Sequence, residues 1–198
     1  EGTPAGWDQI DGIRLSPWKE AAEDTFLAVR ELRAFTPSVL VVLDTHSSEA
    51  TTAQSTTELV AGWLGRANVP VGVIDDTAVE AGRLAGSRLA ILPFNNTLSD
   101  AALTALEAFV GSGGKLMVFY VLEDRIAALL GFQRTGWTRG DFAAYTLQDS
   151  QIQHLPARVR QDSWNISIAA PTARFNARAI AGWEDSAGNA TGHPAWLA

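Results

Sequence analysis

Two rhythms of apolar residues alternate through the middle of this chain. Residues 39–43, 71–74, 88–92 and 115–121 are short, nearly continuous apolar runs, as expected of strands buried on both faces. Between them apolar residues recur at helical spacing. Val60, Trp63 and Leu64 mark an inward face within 51–66, and Leu103, Leu106, Phe109 and Val110 form a second stripe. A strand, a covering helix and a further strand make a parallel unit, because parallel neighbours need a crossover. The pattern predicts one sheet in the order 2-1-3-4 with helices between its strands. Further helices are expected over 16–35, with the stripe Trp18, Ala22, Phe26, Val29 and Leu32, and over 77–84 and 123–130. Ser16-Pro17 and Ser99-Asp100 are helix starts, and Ser55 with Glu58 has capping-box spacing. Gly86, Gly113-Gly114 and Gly131 are stops.

The rhythm changes after Phe132. Residues 142–147, 157–159, 164–168 and 177–183 alternate over short spans, which predicts antiparallel strands. A polar, Gly-containing turn follows at 184–192, and 194–197 begins another strand. The predicted class is therefore α/β: a flavodoxin-like three-layer sandwich with a parallel sheet and a β-rich C-terminal extension. The expected organisation is an extended arm at 1–15 and one domain at 16–198, with a parallel core at 39–131 and the extension at 132–198.

Composition narrows the function classes. A formal charge of -7 argues against nucleic acid or an anionic membrane surface as partner. No apolar run reaches the roughly 18 residues of a membrane helix. Cysteine is absent, so disulfides, thiolate metal sites and a Cys nucleophile are excluded. Seven Trp residues raise the question of sugar stacking, against the plainer role of core and interface aromatics. The chain starts at Glu1 without a signal peptide, the expected look of a processed or excised piece.

In an open α/β sheet, ligands bind outside the carboxyl ends of the strands, at the switch in strand order. Here that switch falls between the first and third strands. It selects Asp44, His46, Asn95 and Asn96 as ligand-binding candidates. The competing role is local, since Asp and Asn after strands commonly bond to loop backbone. On that view the crevice is shallow, and Asp44 and Asn95 hold loops.

Other chemistries fail on their own requirements. Asp75 stands where a ribose-binding acid would, but the turn 44–48 has no glycine to let a pyrophosphate approach. There is no P-loop and no G-x-S-x-G elbow. His46, His154 and His193 lack metal-ligand spacing, and nothing supports a Ser47–His154–Glu123 grouping. The pairs Asp75-Asp76 and Glu123-Asp124 read as helix-start charges. No catalytic residue, metal or cofactor is assigned.

One set of residues carries a family resemblance. Leu92-Pro93, Leu98-Ser99-Asp100, Ala105-Leu106, Phe109-Val110 and Gly113-Gly114-Lys115-Leu116 resemble the class I glutamine amidotransferase-like superfamily. The similarity is to its non-catalytic branch, the β-galactosidase trimerisation domain and the accessory domains of family 10-like glycosyl hydrolase proteins. Ala179-Ile180-Ala181 and Gly192-His193-Pro194-Ala195 resemble the later part of that pattern. The resemblance spans about residues 39–198 and rests on structural motifs. It implies a bacterial, non-catalytic accessory domain of a larger carbohydrate-active protein, extracellular or in the cell envelope. Its partners would be other domains of the same polypeptide, a homo-oligomer or carbohydrate. The family's Cys nucleophile has no counterpart here, and its Gly-rich strand after Pro-Ala is missing, so the resemblance implies a domain cut short at its C-terminus. The alternatives are a small-molecule or sugar hydrolase at Asp44, His46 and Asn95, and a carbohydrate-binding module using Trp137, Trp164 or Trp183.

Overall fold

The computed structural model describes residues 37–120, 123–148 and 155–198. The predicted arm at 1–15, the predicted helix at 16–35 and His154 lie outside the described residues. Residues 37–198 form one compact unit built on two sheets.

The first sheet is parallel. Its strands are β1 (Val39–Leu43), β2 (Val71–Asp75), β3 (Leu89–Leu92) and β4 (Lys115–Val118), in the order β2-β1-β3-β4. The helices between them are α1 (Ala50–Arg66), α2 (Asp76–Glu80) and α3 (Asp100–Gly111). The predicted order and direction are those observed. The core lies on the sheet face that carries Leu40, Val42, Ala90 and Leu92. Val79 of α2 and Leu103, Leu106 and Phe109 of α3 pack into the same cluster. Ser99 caps α3 as its residue type predicts, accepting from the Ala102 amide at 3.0 Å.

The other face meets the sandwich expectation only in part. Val41 and Ile91 are buried there, but their register neighbours Val73 and Met117 are 53% and 47% exposed. Helix α1 lies against β1 and β2 through Ala53 and Thr57, its two buried residues. With Val60 and Leu64 these make a stripe at steps of four and three. Trp63 falls off that line and is 52% exposed, a correction to the predicted inward face. The Ser55–Glu58 spacing is not a cap either. Ser55 sits inside α1, where its hydroxyl donates back to the Thr52 carbonyl.

Helix α4 (Asp124–Leu129) leads into the second sheet, which is antiparallel. Its strands are β5 (Phe132–Leu147), β6 (Arg158–Pro171), β7 (Ala179–Glu184) and β8 (Ala190–Leu197), in the order β6-β5-β7-β8. Two strands are far longer than the predicted fragments, because register shifts near Gly136 and Phe142 interrupt the alternation without breaking the pairing. The sheet curls. Ile168–Pro171 of β6 and Ala190, Gly192, His193 and Pro194 of β8, on its two outer strands, line one cavity of about 570 Å³. A chain of edge-on aromatic contacts, Tyr145–Trp183–Phe142–His193, ties β5 to β7 and β8.

Candidate functional site

The loops after β1 and β3 and the start of α2 meet at the carboxyl ends of the strands, and Asp44 is the residue that joins the two loops. It is 2% exposed. Its Oδ2 accepts the amides of Asn96 and Thr97, both at 2.8 Å, and its Oδ1 accepts the amide of His46 at 3.0 Å. A buried carboxylate must be hydrogen-bonded or paired, and here backbone donors do it. The loop after β3 is therefore clasped to the end of β1.

The second buried acid is Asp76, the first residue of α2, at 1% exposure. Its Oδ1 accepts the Thr45 hydroxyl at 2.5 Å and the Thr77 amide at 3.1 Å. Its Oδ2 lies 2.7 Å from Nδ1 of His46. An ionised carboxylate only accepts, so Nδ1 carries the proton and donates. The His46 side chain is otherwise exposed, at 54%. Its pKa is raised, first by the hydrogen bond to Asp76 and then by the charge of Asp76. Burial pushes Asp76 upward, but the hydrogen bonds from Thr45 and His46 outweigh it, and the net shift is down.

Of the four residues selected from the sequence, Asp44 and His46 sit two apart on one loop, and the strand order brings the backbone amide of Asn96 to Asp44. The Asn95 side chain does not hold a loop. It is 5% exposed, and neither Oδ1 nor Nδ2 has a partner. Oδ1 of Asn96 is likewise buried and without one. Sequence reasoning passed over Asp76, taking it for a helix-start charge. It is one, but β2 lies next to β1, so the start of α2 also faces the loop after β1.

Among the described residues no hydroxyl is hydrogen-bonded to His46. Thr45 is committed to Asp76, and Ser47 accepts from the Glu49 amide. His46 and Asp76 are thus arranged as a base and its orienting acid. The two described cavities also lie elsewhere. One, of about 560 Å³, sits at the amino ends of β3 and β4, and the other lies on the second sheet. No helix among the described residues is long and apolar enough to cross a membrane.

No family model matches the sequence, and no curated protein matches it at a significant level. Among solved structures the chain is similar to a ThuA-like protein from Bacteroides uniformis. The TM-score is 0.58 at 15% identity, over 79% of this chain and 72% of that one. It is also similar to alpha-L-fucosidase isoenzyme 2 from Paenibacillus thiaminolyticus, with a TM-score of 0.52 at 14% identity. That match covers 75% of this chain but only 23% of the fucosidase. A glutamine amidotransferase from Methylobacillus flagellatus aligns at a TM-score of 0.46 and 11% identity, over 77% and 63% of the two chains, too loosely to bear on the fold. At such identities the likeness is one of architecture. The chain shares its mixed α/β fold with the ThuA-like structure and with part of a longer glycosidase chain.

Proposed function

We propose that this chain is a non-catalytic, amidotransferase-like accessory domain of a larger carbohydrate-active protein, serving assembly or ligand binding. The observation that carries the reading is the state of the strand-end crevice. Asp44 is committed to three loop amides, His46 has an orienting acid but no hydroxyl bonded to it among the described residues, and the chain has no thiol. Hydrolysis through a covalent intermediate requires a nucleophile beside its base. The match to a part of a longer fucosidase chain supports the accessory role. The test is turnover by the purified chain on glutamine and on aryl glycosides, with its mass measured in solution. No turnover is expected. Turnover that disappears in His46→Ala would replace this reading with a hydrolase at the strand ends.

A second reading has its own observation. Trp164 and Trp137, on β6 and β5, are 68% and 48% exposed, and the Arg139 guanidinium lies 5.5 Å from the Trp164 ring centroid. Exposed indoles beside a cationic donor suit stacking on a sugar ring. Titration with soluble oligosaccharides, read by tryptophan fluorescence, tests it. Saturable quenching lost in Trp164→Ala favours a carbohydrate-binding module. A flat response overturns it.

A further inference from the structure

The geometry points to a binding site for one divalent transition-metal ion at Asp44, His46 and Asp76, joining the loop after β1 to the start of α2. Each of these residues offers a ligand atom, and the three atoms lie within 4.8 Å of one another. Two of the three are almost fully buried carboxylates, drawn from different strand ends, while the imidazole is open to solvent. That combination gives an ion a charged floor and an entry path.

Asn95 supplies an independent observation. Its carboxamide is buried, and both polar atoms lack a partner. A buried polar group left unmatched is costly, and native structures rarely leave one so. The loop that carries Asn95 is the loop clasped to Asp44 through the next two amides. An amide Oδ1 is a competent ligand for a hard or borderline cation, directly or through a metal-bound water.

The donor set and the space select the ligand. One imidazole nitrogen with carboxylate oxygens suits zinc or manganese better than calcium or magnesium, which take oxygen alone. The two described cavities lie elsewhere, and what these strand ends present is a compact set of ligand atoms on the scale of a single ion. Nδ1 of His46 and Oδ2 of Asp76 stand 2.7 Å apart. The ion displaces the proton they share, and the exposed imidazole turns until the two atoms stand about 3.3 Å apart, the spacing of two ligands at about 2 Å in a tetrahedral site. Asp44 keeps its loop amides and lends a free lone pair. This inference goes beyond the accessory-domain reading and does not depend on it.

The test uses the full chain, stripped with EDTA and exchanged into chelator-free buffer, then titrated calorimetrically with zinc chloride and with manganese chloride. One equivalent of at least one of the two metals should bind, and the melting temperature should rise with it. His46→Ala, at an exposed side chain, should weaken binding by about tenfold or more. Asp76→Asn should do the same, and Asn95→Ala should weaken it less. His193→Ala, on the second sheet, should bind as the parent does. Absence of a saturable one-to-one isotherm with both metals overturns the proposal. So does binding that survives His46→Ala unchanged or is lost in His193→Ala.

Discussion

Nδ1 of His46 lies 2.7 Å from Oδ2 of Asp76, so an exposed imidazole on the loop after β1 is held by a buried carboxylate at the start of α2. The two residues are 30 apart in sequence and meet only because β1 and β2 are neighbours. Strand order, not local sequence, makes this contact.

Asp44 is expected to matter most for stability at this end of the sheet. Asp44→Ala strips the acceptor from three amides at a buried site. The expected loss is roughly 3 kcal/mol, since each buried donor left without a partner costs about 1–3 kcal/mol and water recovers part of it. Asp44→Asn retains one acceptor oxygen and should lose less. Urea unfolding of the two variants beside the parent gives the ranking.

The core prediction is conventional in size but specific in place. Leu106 on α3 is fully buried, at 0% exposure, within the cluster that joins α2, α3 and the sheet. Leu106→Ala should cost about 3 kcal/mol through lost transfer energy and a residual cavity. Trp63→Ala, at a half-exposed position on α1, should cost much less. Equal losses at the two sites, read from denaturation midpoints, would contradict the packing described here.

Two glycines separate strain from crowding. Gly113 and Gly131 both have positive φ, +99° and +83°. A Cβ at Gly113 meets nothing within 4 Å, whereas at Gly131 it would stand 2.7 Å from the Arg174 carbonyl oxygen and 3.0 Å from Ala177 Cβ. Gly113→Ala should cost about 1 kcal/mol, the backbone penalty alone. Gly131→Ala should cost clearly more, because the Arg174 carbonyl is backbone and must move. Thermal melts of the pair test the difference.

Acid should weaken the second sheet through Glu184. The Thr146 hydroxyl and then Arg158, whose Nε is 2.7 Å from Oε2, hold its carboxyl below the ordinary value. The folded pKa is lower than the unfolded one, so this contribution is complete above the unfolded value and is lost as pH falls through the folded value. The melting-temperature gap between the parent and Glu184→Gln should be open at neutral pH and close in acid. A gap that widens in acid would reverse the assignment.

The parallel half was legible because each signal was local and repeated. Continuous apolar runs gave the strands, Ser99 and Asp100 gave the start of α3, and Gly131 marked the end of α4. The second sheet was less legible. Bulges along β5 put two residues of the same polarity in succession, so one strand of 16 residues looked like fragments. At the site, the switch-point rule found Asp44, His46, Asn95 and Asn96 but not Asp76. A helix-start carboxylate has a sufficient local reason to exist, and that reason hid its second partner. No residue type announces that Asn95 lacks one; that follows from how the loops close.

The curl of the second sheet has a consequence for how copies of this chain can meet. An outer strand is a template on which another chain can grow a strand, and unprotected ones seed aggregates. Strand β6 is an outer strand of 14 residues. Its first half carries Arg158, Arg160 and Asp162, which disfavour a stacked neighbour. Its far end turns towards β8 across the shared cavity and closes with Pro171, which has no amide to donate. Growth by strand addition is thus blocked at both ends of β6. What β6 leaves open is a side chain rather than its border: Trp164, on this strand, is the most exposed indole among the described residues.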